Sequence, residues 1–288
     1  MRVVLLATMA VWGANLSVVK MLIEHLEPLV VSVLRMIVAA LALLAVVRWQ
    51  GLQWRGIRRD QWLALLGCAA LMFYLNQLLF TEGMACTVAS NAALIIALNP
   101  LMSTLMAAVF LGDKLTPARL AGVVMGFGGV AAVVLHRPGV ALGTAGVGDA
   151  LIFGSVITWV SGGVLVRRIA RELDPMLIST VATLLGTLML SAHLLLRPTP
   201  LQAHWDQMTP LLVLLLVLSG LLANAVGGVV WNRGLVQLGV ARTSLYAYWV
   251  PIFGVAFAVM LLGEPLTVWH AVGLAAVLGG TWLGTRSH

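Results

Sequence analysis

Apolar runs of about twenty residues, the length that crosses a hydrocarbon core as a helix, follow one another from end to end of this chain. Ten stand out between charged or Pro/Gly breaks, at 3–23, 29–47, 61–82, 88–111, 116–135, 148–169, 175–196, 209–231, 239–262 and 267–285. The loops between them are short, apart from 48–60 and 197–208. Such a chain has little to offer water. Only 9% of its residues are charged, against about 25% in a soluble domain, so no polar shell can cover it. The expected fold is an all-α integral membrane protein with ten transmembrane helices. The first run starts like a signal peptide at Arg2, but it continues past Trp12, Gly13 and Asn15 to Ile23 without an A-x-A cleavage site. It reads as a retained first helix.

The net charge of +7 does not form a nucleic-acid surface. Phosphate binding needs a continuous exposed basic face, whereas these basic residues sit at the ends of apolar runs. Thirteen of the 17 fall on the side of the N-terminus, Lys20, Arg137 and Arg197 fall opposite, and Arg35 lies inside the second run. By the positive-inside rule both termini are cytoplasmic. Cys68 and Cys86 lie in apolar stretches without CxxC spacing, so neither a metal nor a disulfide role is expected.

An internal repeat organises the chain. LGDKLTPARLAGVVMGFGGV at 111–130 aligns with LGEPLTVWHAVGLAAVLGGT at 262–281, at an offset of 151 residues. Gly112, Asp113, Leu115 and Thr116 thereby meet Gly263, Glu264, Leu266 and Thr267, and upstream Pro100 meets Pro251. Nearer the start the register slips slightly, Trp12 meeting Trp159 at 147. Each half, 1–140 and 141–288, holds five runs, so the second enters the membrane inverted. The charges agree, since Lys114 and Arg119 become Pro265 and His270, while Arg167 and Arg171 replace Lys20 and Glu24. Inverted repeats place a substrate site near the midplane, between halves that can rock.

The early WGAN at 12–15, the segment GMACTVASNAALIIALNPLMSTLMAAVFLGDKLT at 83–116 and its copy GLVQLGVARTSLYAYWVPIFGVAFAVMLLGEPLT at 234–267 resemble the drug/metabolite transporter superfamily, specifically its EamA-type ten-helix members. The resemblance covers nearly the whole chain, with Asp113 where that family commonly has Glu. It implies a bacterial inner-membrane exporter of amino acids or similar metabolites, and the aromatic content is similar to that of the branch exporting aromatic and other neutral amino acids.

Polar or bulky aromatic groups in mid-span are costly unless they face the protein interior or a cavity. Trp12 and Asn15 share a face of the first run, as do Tyr74 and Gln77 on the third. Asn91 and Asn99 lie on the fourth, Trp159 on the sixth, Asn224 and Trp231 on the eighth, and Tyr246 and Tyr248 on the ninth. Together they are the expected walls of a central cavity bounded by spans 1, 3, 4, 6, 8 and 9. Rings would stack on apolar side chains, and amides would bind amino and carboxylate groups. The same residue types also tie membrane helices together or sit in interfacial belts. Pro100 and Pro251 interrupt backbone pairing in mid-span and are candidate hinges. The spacings Gly122/Gly126 and Gly280/Gly284 suit close helix packing, within the chain or in a dimer. Asp113 and Glu264, just ahead of the next helix, are expected to act in N-terminal capping. Arg35 needs a partner or a route to the interface, by pairing with Glu82 or by snorkelling.

No carboxylate lies clearly at a midplane, which argues against a buried proton relay and for facilitated diffusion or exchange. Six scattered histidines and ten mostly peripheral acids form no catalytic cluster, so the chain reads as a transporter and not as an intramembrane enzyme. The expected cargo is a small zwitterionic or apolar metabolite, with other apolar metabolites or drugs as the alternative. A passive channel is the competing class. No cofactor and no nucleic-acid partner are expected, and the assembly is a monomer or weak homodimer in the lipid bilayer.

Overall fold

A computed structural model describes residues 1–52, 54, 57–111, 116–136, 145–169, 172–197, 205–238 and 246–286. Asp113, Lys114, Arg137 and Arg171 lie outside these residues. Among the described residues every regular element is helical. The elements are α1 (Arg2–Ile23), α2 (Pro28–Trp49), α3 (Arg59–Cys68), α4 (Asn76–Cys86), α5 (Ala89–Ile96), α6 (Asn99–Leu111) and α7 (Pro117–Leu135). There follow α8 (Ala145–Ile169), α9 (Pro175–Leu196), α10 (Pro210–Leu218), α11 (Gly227–Leu238), α12 (Trp249–Leu262) and α13 (Val268–Arg286). Among the described residues six helices are long and apolar enough to cross a membrane, and four shorter ones are apolar.

Local chemistry sets the helix starts. Thr116, Asp174 and Thr209 each accept a hydrogen bond from a first-turn N–H, and a proline follows each of them. Proline suits that position because its missing N–H would have no partner there anyway. At the other end of α12, Gly263 takes φ +65°, the left-handed conformation that closes a helix with little strain. Large apolar side chains remain outside, Leu195 and Leu196 being more than four-fifths exposed. Water would not tolerate that surface, and acyl chains would.

Two features depart from the expected regular helices. The helix from Arg59 to Cys86 is π-helical over Ala69–Leu75, and the helix beginning at Pro210 is π-helical over Ser219–Val226. The two stretches begin 150 residues apart. In addition, the fourth apolar run is two helices: Ala97 and Leu98 form a turn between α5 and α6. Pro100 therefore stands at the start of α6 and not at a kink within one helix. Having no N–H, it leaves the carbonyl of Ile96 without its usual donor. The side-chain Nδ2 of Asn99 fills that place at 2.9 Å. A matching turn at Tyr248 precedes Pro251.

Packing follows small residues. The glycine spacings are used inside the chain, where α7 and α13 run together. A Cβ added to Gly280 would lie 2.5 Å from the carbonyl oxygen of Gly122. Elsewhere α1 packs on α12 while α8 packs on α5 and α6. The first π stretch lies on α9, the second on α2, and α2 meets α9.

Candidate functional site

Between these helices lies a cavity of about 240 Å3, just under the size usual for drug-sized sites. Its walls come from the places where helix geometry is interrupted. The first π stretch contributes Phe73, and Asn76, Gln77 and Phe80 follow it on α4. The α5–α6 turn contributes Ile96, Ala97, Asn99 and Pro100, and the region of the second turn Ala247, Tyr248 and Val250. The second π stretch contributes Ala223 and Asn224, with Trp231 beyond it on α11. Such interruptions are common at functional sites, because they free carbonyls and turn side chains away from the regular helical phase.

Of the residues singled out from sequence, Trp12, Asn15, Gln77, Asn99, Trp159, Asn224, Trp231, Tyr248 and Pro100 line the cavity. The Trp12 indole donates from Nε1 to the carbonyl of Ala223 at 2.9 Å, and its ring lies 5.7 Å from that of Trp231. It is thus held by the second π stretch at the cavity wall. Asn76 donates to the carbonyl of Ser155 at 2.7 Å, joining α4 to α8.

Tyr74, Asn91, Tyr246 and Pro251 are placed elsewhere. Tyr74 turns to α9, its hydroxyl 3.1 Å from His193 Nδ1. Asn91 is buried within α5, and the half-buried Tyr246 and the buried Pro251 stand beside the wall without forming it. For Tyr74 the reason is helical phase. Its spacing of three from Gln77 puts both on one face of an α-helix, but Tyr74 lies in the π stretch, where each hydrogen bond spans an extra residue.

Four buried polar atoms in the cavity walls have no hydrogen-bond partner among the described residues: Arg35 Nη1, Gln77 Oε1, Asn99 Oδ1 and Asn224 Nδ2. Buried polar groups are nearly always paired, so this concentration marks the place as unfinished. From sequence Arg35, the one basic group at depth, is expected to be a partner of Glu82 or a snorkelling side chain. It is neither, being 1% exposed and donating from Nε to Ser219 Oγ at 2.6 Å. α13 also joins the wall, through Val277, Leu278 and Thr281. Nothing in the sequence of that glycine-rich helix signals it.

One end of the bundle is tied by charge. Glu264 accepts from the backbone N–H groups of Ala89 at 2.7 Å and Ser90 at 3.0 Å. It caps α5, from the other half of the chain, instead of its own following helix. Val88, the residue at the start of α5, has no side-chain acceptor to offer. Lys20 donates to the carbonyls of Met84 and Thr87, both at 2.7 Å, at the end of α4. Thr87 in turn donates to Asp149, 2.5 Å away. The opposite end is more open to water, with Arg58 on Glu172 at 2.9 Å and Gln61 donating to Glu172 at 2.8 Å. There the neighbouring Asp60, and then Glu172, hold the Arg58 guanidinium above its ordinary pKa.

The profile of the EamA-like transporter family matches twice, over residues 2–135 and again over 146–286. The chain is 28% identical, over 95% of its length and 91% of the relative's, to a probable terminal-alkyne amino-acid exporter of Streptantibioticus cattleyicolor. It is 26% identical to an uncharacterized transporter of Bacillus subtilis, over 93% of this chain and 88% of that one. It is 23% identical to a probable amino-acid metabolite efflux pump of Salmonella typhimurium, over 96% and 92%. A solved crystal structure superposes with a TM-score of 0.68 at 18% identity, covering 97% of this chain and 94% of that one. That likeness speaks for the fold alone.

Proposed function

Because the chain belongs to the EamA-like transporter family, we propose that it exports amino acids, aromatic and other neutral ones, or similar small metabolites across a bacterial inner membrane. It does so by alternating access through the cavity between two inverted five-span repeats, 1–140 and 141–288, with both termini in the cytoplasm. The cavity carries this reading: three tryptophans, Trp12, Trp159 and Trp231, share its wall with unpaired amides. An apolar side chain would meet the rings, and the polar end of the metabolite the amides.

Several observations support the repeat. The π stretches begin 150 residues apart, and each of the two turns precedes a proline. The packing is also reciprocal, α1 on α12 answering α8 on α6, and α2 on the second π stretch answering α9 on the first. The names of two relatives favour amino acids or their derivatives as cargo. Pro100 and Pro251, each beside a turn, are the hinges on which the halves would bend.

The test is counterflow in proteoliposomes with labelled leucine, tryptophan, lysine and glutamate. Saturable uptake of leucine and tryptophan, accelerated by unlabelled substrate inside, is the expected result. Flux that neither saturates nor shows counterflow would make the protein a channel. Absence of flux for every amino acid, with flux of an apolar drug, would move the cargo to the alternative class.

A further inference from the structure

Arg35 is the one basic side chain among the described residues that line the cavity, and none of those residues is acidic. A guanidinium stays charged wherever it is placed, and a buried charge is unfavourable unless an opposite charge meets it. The three ion pairs among the described residues all lie elsewhere. The surroundings fix this side chain firmly. Gly220 brings the second π stretch so near that an added Cβ would stand 2.6 Å from the Arg35 carbonyl oxygen. Its neighbour Ser219 accepts a hydrogen bond from Arg35 Nε at 2.6 Å and donates one to Asn15 Oδ1 at 2.5 Å. Asn15 thereby accepts through its oxygen and keeps an NH2 group that can donate. Arg35 Nη1 and Asn224 Nδ2 are donors still waiting for an acceptor. Three cavity residues thus present donors, and one of them carries an uncompensated positive charge.

We infer that Arg35 is the carboxylate anchor of this cavity, and that the cargo class is small monocarboxylates, α-amino acids among them. The inference rests on the transporter reading and adds to it the group that every substrate must carry. A carboxylate supplies the charge the protein withholds and accepts from the guanidinium in the planar geometry the two groups share. The free carbonyl oxygens of Gln77 and Asn99 suit the ammonium group of an amino acid. An amine lacking a carboxylate would bring a second positive charge to Arg35.

The test uses the full chain in detergent, with tryptophan fluorescence as the readout, since three tryptophans line the cavity. Four probes of one shape are titrated: L-leucine, 4-methylpentanoate, L-leucinamide and 3-methylbutylamine. The first two are expected to bind, and the two without a carboxylate at least about tenfold more weakly. In Arg35→Gln the preference for leucine over leucinamide should fall towards one, and Arg35→Lys should keep part of it. If Arg35→Gln does not fold, the wild-type series decides alone. Equal binding of leucine and leucinamide overturns the anchor and leaves amino-acid export standing. Binding of 4-methylpentanoate without leucine does the reverse, and binding of none of the four overturns both.

Discussion

The polar groups at the Lys20 end of the bundle and those in the cavity are of similar types, and they are used in opposite ways. At the Lys20 end a carboxylate meets the N-terminal N–H groups of α5, and an ammonium meets the C-terminal carbonyls of α4. Both charges complement a helix dipole across a helix–helix boundary. Asp149 Oδ2, Asn91 Nδ2 and, a turn further in, Ser17 Oγ are the exceptions there, buried without a partner among the described residues. In the cavity such exceptions become the rule, and four buried atoms on four elements stand open. The difference separates holding from binding. Groups whose hydrogen bonds are spent stabilise the bundle, and groups left open lose stability that a ligand can restore.

Glu264→Ala breaks the comparison hardest. It strips α5 of the only side-chain acceptor at its first two N–H groups that the structure shows, and loss of such a cap costs about 2 kcal/mol at the upper end of the usual range. Thermal unfolding in detergent should show a clear drop in Tm, while Glu264→Gln, which keeps an acceptor, should lose less. An unchanged Tm for Glu264→Ala would mean that the charges at this end are not structural.

Gln77→Leu should behave in the opposite way. It removes a buried carbonyl oxygen that has no partner, so Tm should hold or rise. Transport should nevertheless fall by about tenfold, equivalent to about 1.4 kcal/mol of lost ligand interaction. A fall in Tm without a fall in transport would return Gln77 to the structural class.

Asn99 belongs to both classes. Its Nδ2 is spent on the carbonyl that Pro100 leaves free, and its Oδ1 is open to the cavity. Asn99→Ala should therefore cost about 1 kcal/mol of stability for the lost hydrogen bond, together with a loss of transport. Asn99→Asp, which cannot donate to Ile96, should lose stability in the same way and retain an acceptor for the ammonium group.

Asn99 also shows how far the sequence can be read. An amide beside a mid-span proline is visible in the residues alone, and so are Trp12, Trp159 and Trp231, because polar and aromatic groups in apolar runs have few places to go. The split of that run into α5 and α6 was not visible, since a proline is compatible with a kink as well as with a new start. The π stretches carry no local signature, and they displaced Tyr74 from the wall. Glu264 was recognised as a capping residue, but its partner lies 175 residues away. Only the packing of one half on the other brings them together. Arg35 stood out as a charge in the wrong place, and its neighbours Ser219 and Asn15 became apparent only with the fold.

The smallest effect is expected where ion pairs are most conspicuous. Arg58 touches Asp60 and Glu172 at 2.8 and 2.9 Å, yet its side chain is 59% exposed. Water and salt screen such a pair, and its two long side chains lose freedom by holding it. The raised pKa of Arg58 adds no pH dependence near neutrality, because an arginine is protonated there with or without its partners. Arg58→Ala should leave Tm and transport within error of the wild type, at low and at high salt. Gln61→Leu should do more, since Gln61 is buried and reaches Glu172 from the first turn of α3. If Arg58→Ala were instead as damaging as Glu264→Ala, exposure would not separate the two ends. The division between spent and open groups would then need another basis.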